Sequence, residues 1–264
     1  MPAIFLTNAC HILNKVDNLH AIANMNNPSL IMVTESWLNV NVPNSAVCIG
    51  SKFNIYRRDR LTVGGAVVAY VNANAPTTHL RNLEEDNKEV LWLLLKPPRT
   101  PRTFSAILVV GVHFPSGQSL ENEREWNEYI TRGVDSVLRD FPSASVCVMG
   151  DFNQMKLNTL CTRFNLKKSV RAPTRGKNVL DQLLTNMSDF YDEVMHLPLV
   201  GRSDHQCLLF SPKIKQKVKP TSRKVRLTKP CNLAALGLKL NLEDWNSVFQ
   251  ARASTTKSVF SQIP

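Results

Sequence analysis

Ser145-Val146-Cys147-Val148-Met149-Gly150-Asp151-Phe152-Asn153 is the stretch on which the reading of this chain turns. Residues 145–149 form an apolar, β-forming run with little polar alternation, the pattern of a strand covered on both faces. The run stops at Gly150-Asp151, and Asn153 follows two residues later. Similar runs occupy 3–6, 30–33, 66–71, 90–95, 106–112, 180–184 and 207–210. Between them lie helical patterns. Residues 15–25 place Val16, Leu19, Ile22 and Ala23 on one side, and 121–139 place Trp126, Ile130, Val134, Val137 and Leu138 on one stripe. Glu121, Glu123 and Glu125 begin the second helix, where the positive end of the helix dipole favours acids. A third, shorter helix covers 157–164, and Gly64-Gly65 reads as a turn ahead of a strand. Strands alternating with helices give an α/β class.

Polar residues gather where the strand runs end. Asn8 follows the first run, Glu35 the second, Asp151 and Asn153 the run quoted above, and Ser203-Asp204-His205 leads into the last. Asp181 sits within Leu180-Asp181-Gln182-Leu183-Leu184, where a carboxylate is costly unless paired or hydrogen-bonded. In layered α/β folds neighbouring strand ends converge on one edge, so these residues are expected to share a cleft. The set has a chemical logic. A hard divalent cation takes a few protein oxygens and fills its shell with water; Glu35, Asn8 and Asp204 are the candidate ligands. His205 oriented by Asp181 is a candidate base or electrostatic clamp, and Asp151 is placed to align or deprotonate a water. Asn153 and a protonated imidazole would offset charge on the non-bridging oxygens of a phosphoryl transition state. Singly, these are common features: Gly-Asp is usually a turn, Ser-Asp-His a cap, Glu35 a surface acid. As an ordered set they are rare by chance.

Composition narrows the class further. With 264 residues, 43% of them hydrophobic and 20% charged, the chain can bury a sizeable core. The net charge of +11 is uneven: residues 211–230 hold eight Lys and Arg and no acid, leaving about +3 for the rest. That segment is either a solvated linker or the place where a nucleic-acid backbone is attracted. The six cysteines include no CxxC pair and read as reduced core thiols rather than disulfides or a zinc site. The start, Met1-Pro2-Ala3-Ile4-Phe5-Leu6, lacks the basic stretch and apolar length of a signal peptide, and no apolar run approaches the roughly 20 residues of a membrane helix. A soluble intracellular protein, nuclear or cytoplasmic and not secreted, is expected.

The ordered motifs resemble the endonuclease/exonuclease/phosphatase superfamily, and within it the endonucleases of LINE-like (non-LTR) retrotransposons. The resemblance rests on Leu6-Thr7-Asn8-Ala9 with Asn14-Lys15, Thr34-Glu35-Ser36-Trp37-Leu38, and Arg57-Arg58-Asp59-Arg60 ahead of Gly64-Gly65. It continues through Gly150-Asp151-Phe152-Asn153, Ala172-Pro173-Thr174-Arg175, Leu180-Asp181 with Leu184-Thr185-Asn186, and Ser203-Asp204-His205. It implies a four-layer α/β sandwich, two mixed β-sheets face to face with helices outside, and a site where strand-end loops meet. It also implies Mg²⁺ as cofactor, with Mn²⁺ as a substitute, DNA as partner, and hydrolysis of a DNA strand to leave a 3′-hydroxyl. By matching motif, Glu35 and Asn8 bind the metal, Asp204 belongs to the metal or phosphate network, Asp151 and Asn153 position nucleophile and phosphate, and Asp181 orients His205. One position departs from the pattern. Family members usually carry Tyr two residues before a Pro on the strand ahead of the long helix, and here His113 precedes Phe114-Pro115. An unperturbed imidazole titrates near ~6.5, so the substitution predicts a preference for lower pH.

The expected organisation is a catalytic domain over 1–210, a basic linker over 211–230 and a connector-like extension over 231–264. No YxDD-type polymerase motif follows, so the polymerase half is expected to be absent from this chain. Two other functions fit the same residues. One is a phosphomonoesterase or lipid phosphodiesterase of the same fold, marked by phosphate release from an inositol phosphate without DNA nicking. The other is an inactive nucleic-acid-binding remnant, marked by DNA binding without cation-dependent cleavage.

Overall fold

A computed structural model describes residues 1–60, 64–98, 100–213, 229–247 and 249–250. The elements run β1 (Ile4–Asn8), α1 (Val16–Asn26), β2 (Leu30–Thr34), β3 (Phe53–Arg58), β4 (Val67–Asn72), β5 (Thr77–His79), β6 (Val90–Leu95), β7 (Ala106–His113) and α2 (Leu120–Asp140). They continue with β8 (Ala144–Asp151), α3 (Asn158–Phe164), β9 (Lys167–Lys168), β10 (Asp181–Thr185), β11 (Met195–Leu197) and β12 (Cys207–Phe210). The strands form two six-stranded mixed sheets, ordered β11-β12-β1-β2-β4-β3 and β5-β6-β7-β8-β10-β9. Among the described residues, only the central neighbours, β1 with β2 and β7 with β8, pair in parallel.

The side-chain period of two explains the layering. In β7, Ile107 and Val109 face the first sheet beside Leu6, Met32 and Ala69, while Leu108, Val110 and Val112 face outward onto α2 and α3. In β1 and β2, Phe5, Ile31 and Val33 face the opposite way, onto Leu19 and Ala23 of α1. The layers are therefore α1, first sheet, second sheet, then α2 with α3: the expected four-layer sandwich. Strands buried on both faces show up as continuous apolar runs, and every run read from the sequence is a strand. Burying one such Val, Leu or Phe contributes about 1.5–3 kcal/mol, so the inter-sheet core carries much of the stability. Helix α2 starts at Ser119, whose Oγ accepts a bond from Asn122 N at 3.2 Å, and buries Trp126, Ile130, Val134 and Val137.

Four strands escaped the sequence reading, and each lies at or near a sheet edge. β3 has no fully buried residue, with Asn54 exposed and the other five half-buried, and β5, β9 and β11 are two or three residues long. Edge strands are commonly short and polar, which blunts pairing with other chains and erases the apolar signal. Asp181 is also not inside its strand, as its sequence suggested, but is the first residue of β10, opposite Asp151.

Contacts divide the chain into two units, Met1–Ile214 and Lys215–Pro264. In the second, α4 (Pro230–Leu242) begins with a proline in its first turn and buries no side chain. Most of the basic run over 211–230 lies outside the described residues; Lys213, within them, donates from Nζ to Asp189 O at 2.9 Å. No helix among the described residues is long and apolar enough to cross a membrane.

Candidate active site

Sheet topology puts the strand-end residues on one edge. Parallel strands end on the same side, so Asn8 of β1 registers with Thr34, the residue before Glu35, and His113 of β7 registers with Asp151 of β8. Antiparallel strands begin where those end. β10 therefore enters at Asp181 opposite Asp151, and β12 follows directly on Ser203-Asp204-His205. Gly150 permits the close approach here: its φ is 146°, and a Cβ would lie 1.8 Å from Val112 O.

Every residue singled out from the sequence joins one contact network. Asn8 Nδ2 donates to Glu35 Oε1 and to Asp151 Oδ2, each at 2.8 Å, linking two carboxylates from different sheets. His205 Nδ1 meets Asp181 Oδ2 at 2.7 Å, and its Nε2 lies 3.9 Å from Asp204 Oδ1. Asn153 N donates to Asp151 Oδ1 at 2.9 Å, while its Nδ2 holds Phe114 O at 2.7 Å. His113 Nε2 lies 3.6 Å from Glu35 Oε1. Asp204 has its Oδ2 held by Arg175 Nη2 at 2.6 Å, which gives the Ala-Pro-Thr-Arg motif a place at the rim. In the same motif, Thr174 Oγ1 accepts from Leu180 N and Asp181 N, fixing the start of β10. Ser203 Oγ donates to Asn8 O at 2.7 Å, tying the last loop to the first strand.

Among the described residues, two groupings have ligand atoms within 4.8 Å of one another: Glu35, His113 and Asp151, and Asp151, Asp181 and His205. Asp151 belongs to both. Within the second, Asp181 Oδ1 and His205 Nε2 are buried and have no hydrogen-bond partner among the described residues. Buried polar atoms without partners are rare, and two in one contacting pair indicate a site built to receive something polar. The backbone agrees. Cys10, His11, Glu35, Trp37 and Asn153 all take positive φ (41°, 81°, 47°, 56° and 48°). Each such turn costs on the order of 1–3 kcal/mol and persists where surrounding bonds hold it. Here His11 N to Glu35 O and Trp37 N to Gly65 O, both 2.9 Å, do so.

Glu89 was not legible in the sequence as a functional residue. It precedes β6, the antiparallel neighbour of β7, and so enters at the same edge. Its Oε2 lies 2.5 Å from His113 Nδ1 and 2.7 Å from Ala66 N, and Oε1 pairs with Arg60 Nη1 at 2.8 Å. A Cβ on Gly65, whose φ is 70°, would fall 2.2 Å from Glu89 Oε2, which accounts for the glycine ahead of Ala66. The Arg-rich Gly-Gly motif thus supports His113. A spaced acid adjoining an apolar run, like the others at strand ends, was the available signal. Cys10 is a second omission: it is a cleft residue, not the core thiol that the cysteine pattern implied, whereas Cys147 and Cys207 are buried and Cys48 and Cys231 are exposed.

Charge states follow from this packing. His113 holds Glu35 down at about 2 despite burial, with Asn8 assisting. Burial works against the charged form of His113, but Glu35 and Glu89 outweigh it and raise His113 to about 9. The lower-pH preference expected from an unperturbed imidazole therefore does not arise from His113, which stays protonated through neutrality. Burial, then Asp181, pushes Asp151 up to about 6. His205 is likewise raised: burial opposes its charge, but Asp181 prevails. Burial, then Glu35 and Asp204, pushes the Cys10 thiol up to about 12.

A group titrating higher in the folded chain than its ordinary 6.5 stabilises the fold fully below that pH and loses the contribution as pH rises through its folded value, here about 9. Thermal unfolding of chelator-treated protein should therefore fall in midpoint between these limits, and Glu89→Gln should flatten that fall. An unchanged slope in Glu89→Gln would remove Glu89 from this role.

No protein-family model and no curated protein sequence matches the chain. Solved structures do. The endonuclease domain of TRAS1, a telomere-specific non-LTR retrotransposon, aligns at 14% identity over 81% of this chain and 99% of its own, with a TM-score of 0.61. The 3′ phosphatase NExo from Neisseria, bound to product DNA hairpin, aligns at 12% identity over 81% and 100%, with a TM-score of 0.63. The AP endonuclease LMAP from Leishmania major aligns at 14% identity over 79% and 86%, also at 0.63. The chain shares the two-sheet α/β fold of these solved structures.

Proposed function

We propose that this chain is a divalent-cation-dependent phosphodiesterase that nicks DNA and leaves a 3′-hydroxyl. The observation that carries the reading is the buried His205, locked by Asp181 through Nδ1 while Nε2, 3.9 Å from Asp204 Oδ1, has no hydrogen-bond partner among the described residues. The donor set fits Mg²⁺ or Mn²⁺: Glu35, kept ionised, with the oxygens of Asn8 and Asp204, would hold the ion. Bound there, the cation supplies Lewis-acid stabilisation of phosphoryl charge.

The chain's own groups divide the remaining work by their charge states. His205, favoured as imidazolium by Asp181, is placed to donate from Nε2 to a non-bridging phosphate oxygen rather than to serve as the base. Asp151, titrating near 6, is a carboxylate at neutral pH yet basic enough to accept a water proton. Asn8 holds Asp151 in place, and Asn153 N pins its other oxygen. His113, held in orientation by Glu89, sets a second positive charge beside Glu35. The retroelement motifs and the DNA-acting neighbours support a DNA substrate.

Relaxation of supercoiled plasmid in Mg²⁺, abolished by chelation, is the expected result, with no release of phosphate from an inositol phosphate. Phosphate release without nicking would replace this reading with the phosphomonoesterase. DNA retention with neither activity would mark an inactive binding module.

A further inference from the structure

Trp37, in the Thr34-Glu35-Ser36-Trp37-Leu38 segment, holds a backbone conformation that a bulky side chain rarely takes. Its φ is 56°, and that of Glu35 two residues earlier is 47°. A bulky residue at positive φ is a true outlier, and such strain concentrates where chains grip ligands. Ser36 and Leu38 on either side are 1% and 2% exposed, whereas Trp37 is 39% exposed. The turn thus buries the hydroxyl and the leucine and leaves the largest apolar ring of the loop in contact with solvent.

The loop after β1 brings a second ring. His11, at a φ of 81°, has its ring centroid 5.7 Å from that of Trp37 with the planes at 68°, an edge-to-face contact. His11 N also donates to Glu35 O, so the ring pair and the carboxylate proposed to hold the cation share one piece of backbone. Two residues of chain span at most about 7 Å, and each nucleotide step rises about 3.4 Å. Trp37 therefore stands within about two nucleotide steps of a phosphate held at Glu35.

A half-exposed indole beside a phosphate site can take the flat face of a nucleobase. Stacking on an aromatic ring strengthens binding by about 5- to 150-fold per base, whichever base it is. A base inside an intact duplex already has both faces covered by its neighbours, and freeing it costs a comparable free energy. The full gain is realised only where the base is already unpaired.

We propose that Trp37, backed by His11, is a base-stacking ledge that directs this site to DNA with an unpaired base beside the bound phosphate: single strands, mismatches and bubbles. The inference rests on the reading of the cleft as a DNA phosphate site and names the form of DNA it takes.

The test compares two fluorescein-labelled strands of equal length, an oligothymidylate and a chain of abasic tetrahydrofuran residues, which carry the same phosphates. Binding to the full chain is read by fluorescence anisotropy in chelator, so that neither cation nor cleavage enters. Wild type should bind the thymidylate strand about 5- to 150-fold more tightly. Trp37→Ala and Trp37→Leu should bring that ratio near one, and Trp37→Phe, which keeps a ring, should retain most of it. All three should keep the wild-type circular dichroism spectrum. In Mg²⁺, wild type should nick a duplex with a thymine bubble faster than the matched duplex, and Trp37→Leu should narrow the difference. Equal binding of the two strands by wild type overturns the proposal. So does a preference that survives in Trp37→Ala, which would place it on other exposed rings such as Trp245 or Phe249, or one that Trp37→Leu preserves. Base-dependent binding through Trp37 in a protein that cuts nothing would sink the nuclease reading and leave this one standing; nicking with equal binding of both strands would do the reverse.

Discussion

His205→Ala should reduce Mg²⁺-dependent plasmid nicking by about 10²- to 10⁴-fold, the range for losing a group that exchanges or donates a proton in the transition state. The loss should fall on kcat, because Nε2 is left without a hydrogen-bond partner in the resting protein and its contribution develops with phosphoryl charge. Alanine also leaves Asp181 buried without its partner, at about 3–5 kcal/mol when one member of a buried pair is removed. Asp181→Asn provides the companion, since it keeps shape and removes the charge that orients the ring and favours its protonated form. It should retain the fold, as judged by thermal unfolding, and still lose most activity. A folded Asp181→Asn with wild-type kcat would show that the Asp181–His205 pair is structural.

Glu35→Ala should be comparably severe through a different quantity, the cation requirement. Glu35 is the carboxylate most firmly held ionised, and its two oxygens face Asn8, His113 and Cys10. Removing it should weaken Mn²⁺ binding and slow nicking by about 10³-fold, the equivalent of several kcal/mol of lost charge stabilisation. Raising Mg²⁺ should recover part of the rate in Glu35→Ala and none in His205→Ala. That difference separates the ion-holding residue from the phosphate-facing one. Equal insensitivity to Mg²⁺ in both variants would contradict the division of roles.

The sandwich could be read from the sequence because its central strands are buried on both faces and appear as unbroken apolar runs. β3, β5, β9 and β11 could not, because edge strands carry polar residues. The clustering of the candidate residues was legible for a topological reason: Asn8, Glu35, Asp151 and the Ser203–His205 segment each adjoin a strand end, and mixed sheets bring those ends to one edge. Glu89 adjoins a strand as well, but it sits in Asp86-Asn87-Lys88-Glu89, where a surface acid is the ordinary reading. Its importance comes from spatial partners 24 and 29 residues away in sequence, His113 and Arg60. The charge state of His113 was misjudged for the same cause. Cys10 was hidden because a single cysteine carries no spacing signal, and only the fold shows that three oxygens surround it.

The most direct test of one cation-centred pocket is anomalous X-ray scattering from crystals soaked in Mn²⁺. A peak in the cleft within coordinating distance of a Glu35 oxygen, on the side facing Asp151 and His205, and absent from Glu35→Ala crystals, is the predicted result. Manganese bound only at remote surface carboxylates, in protein that still nicks plasmid, would contradict the account.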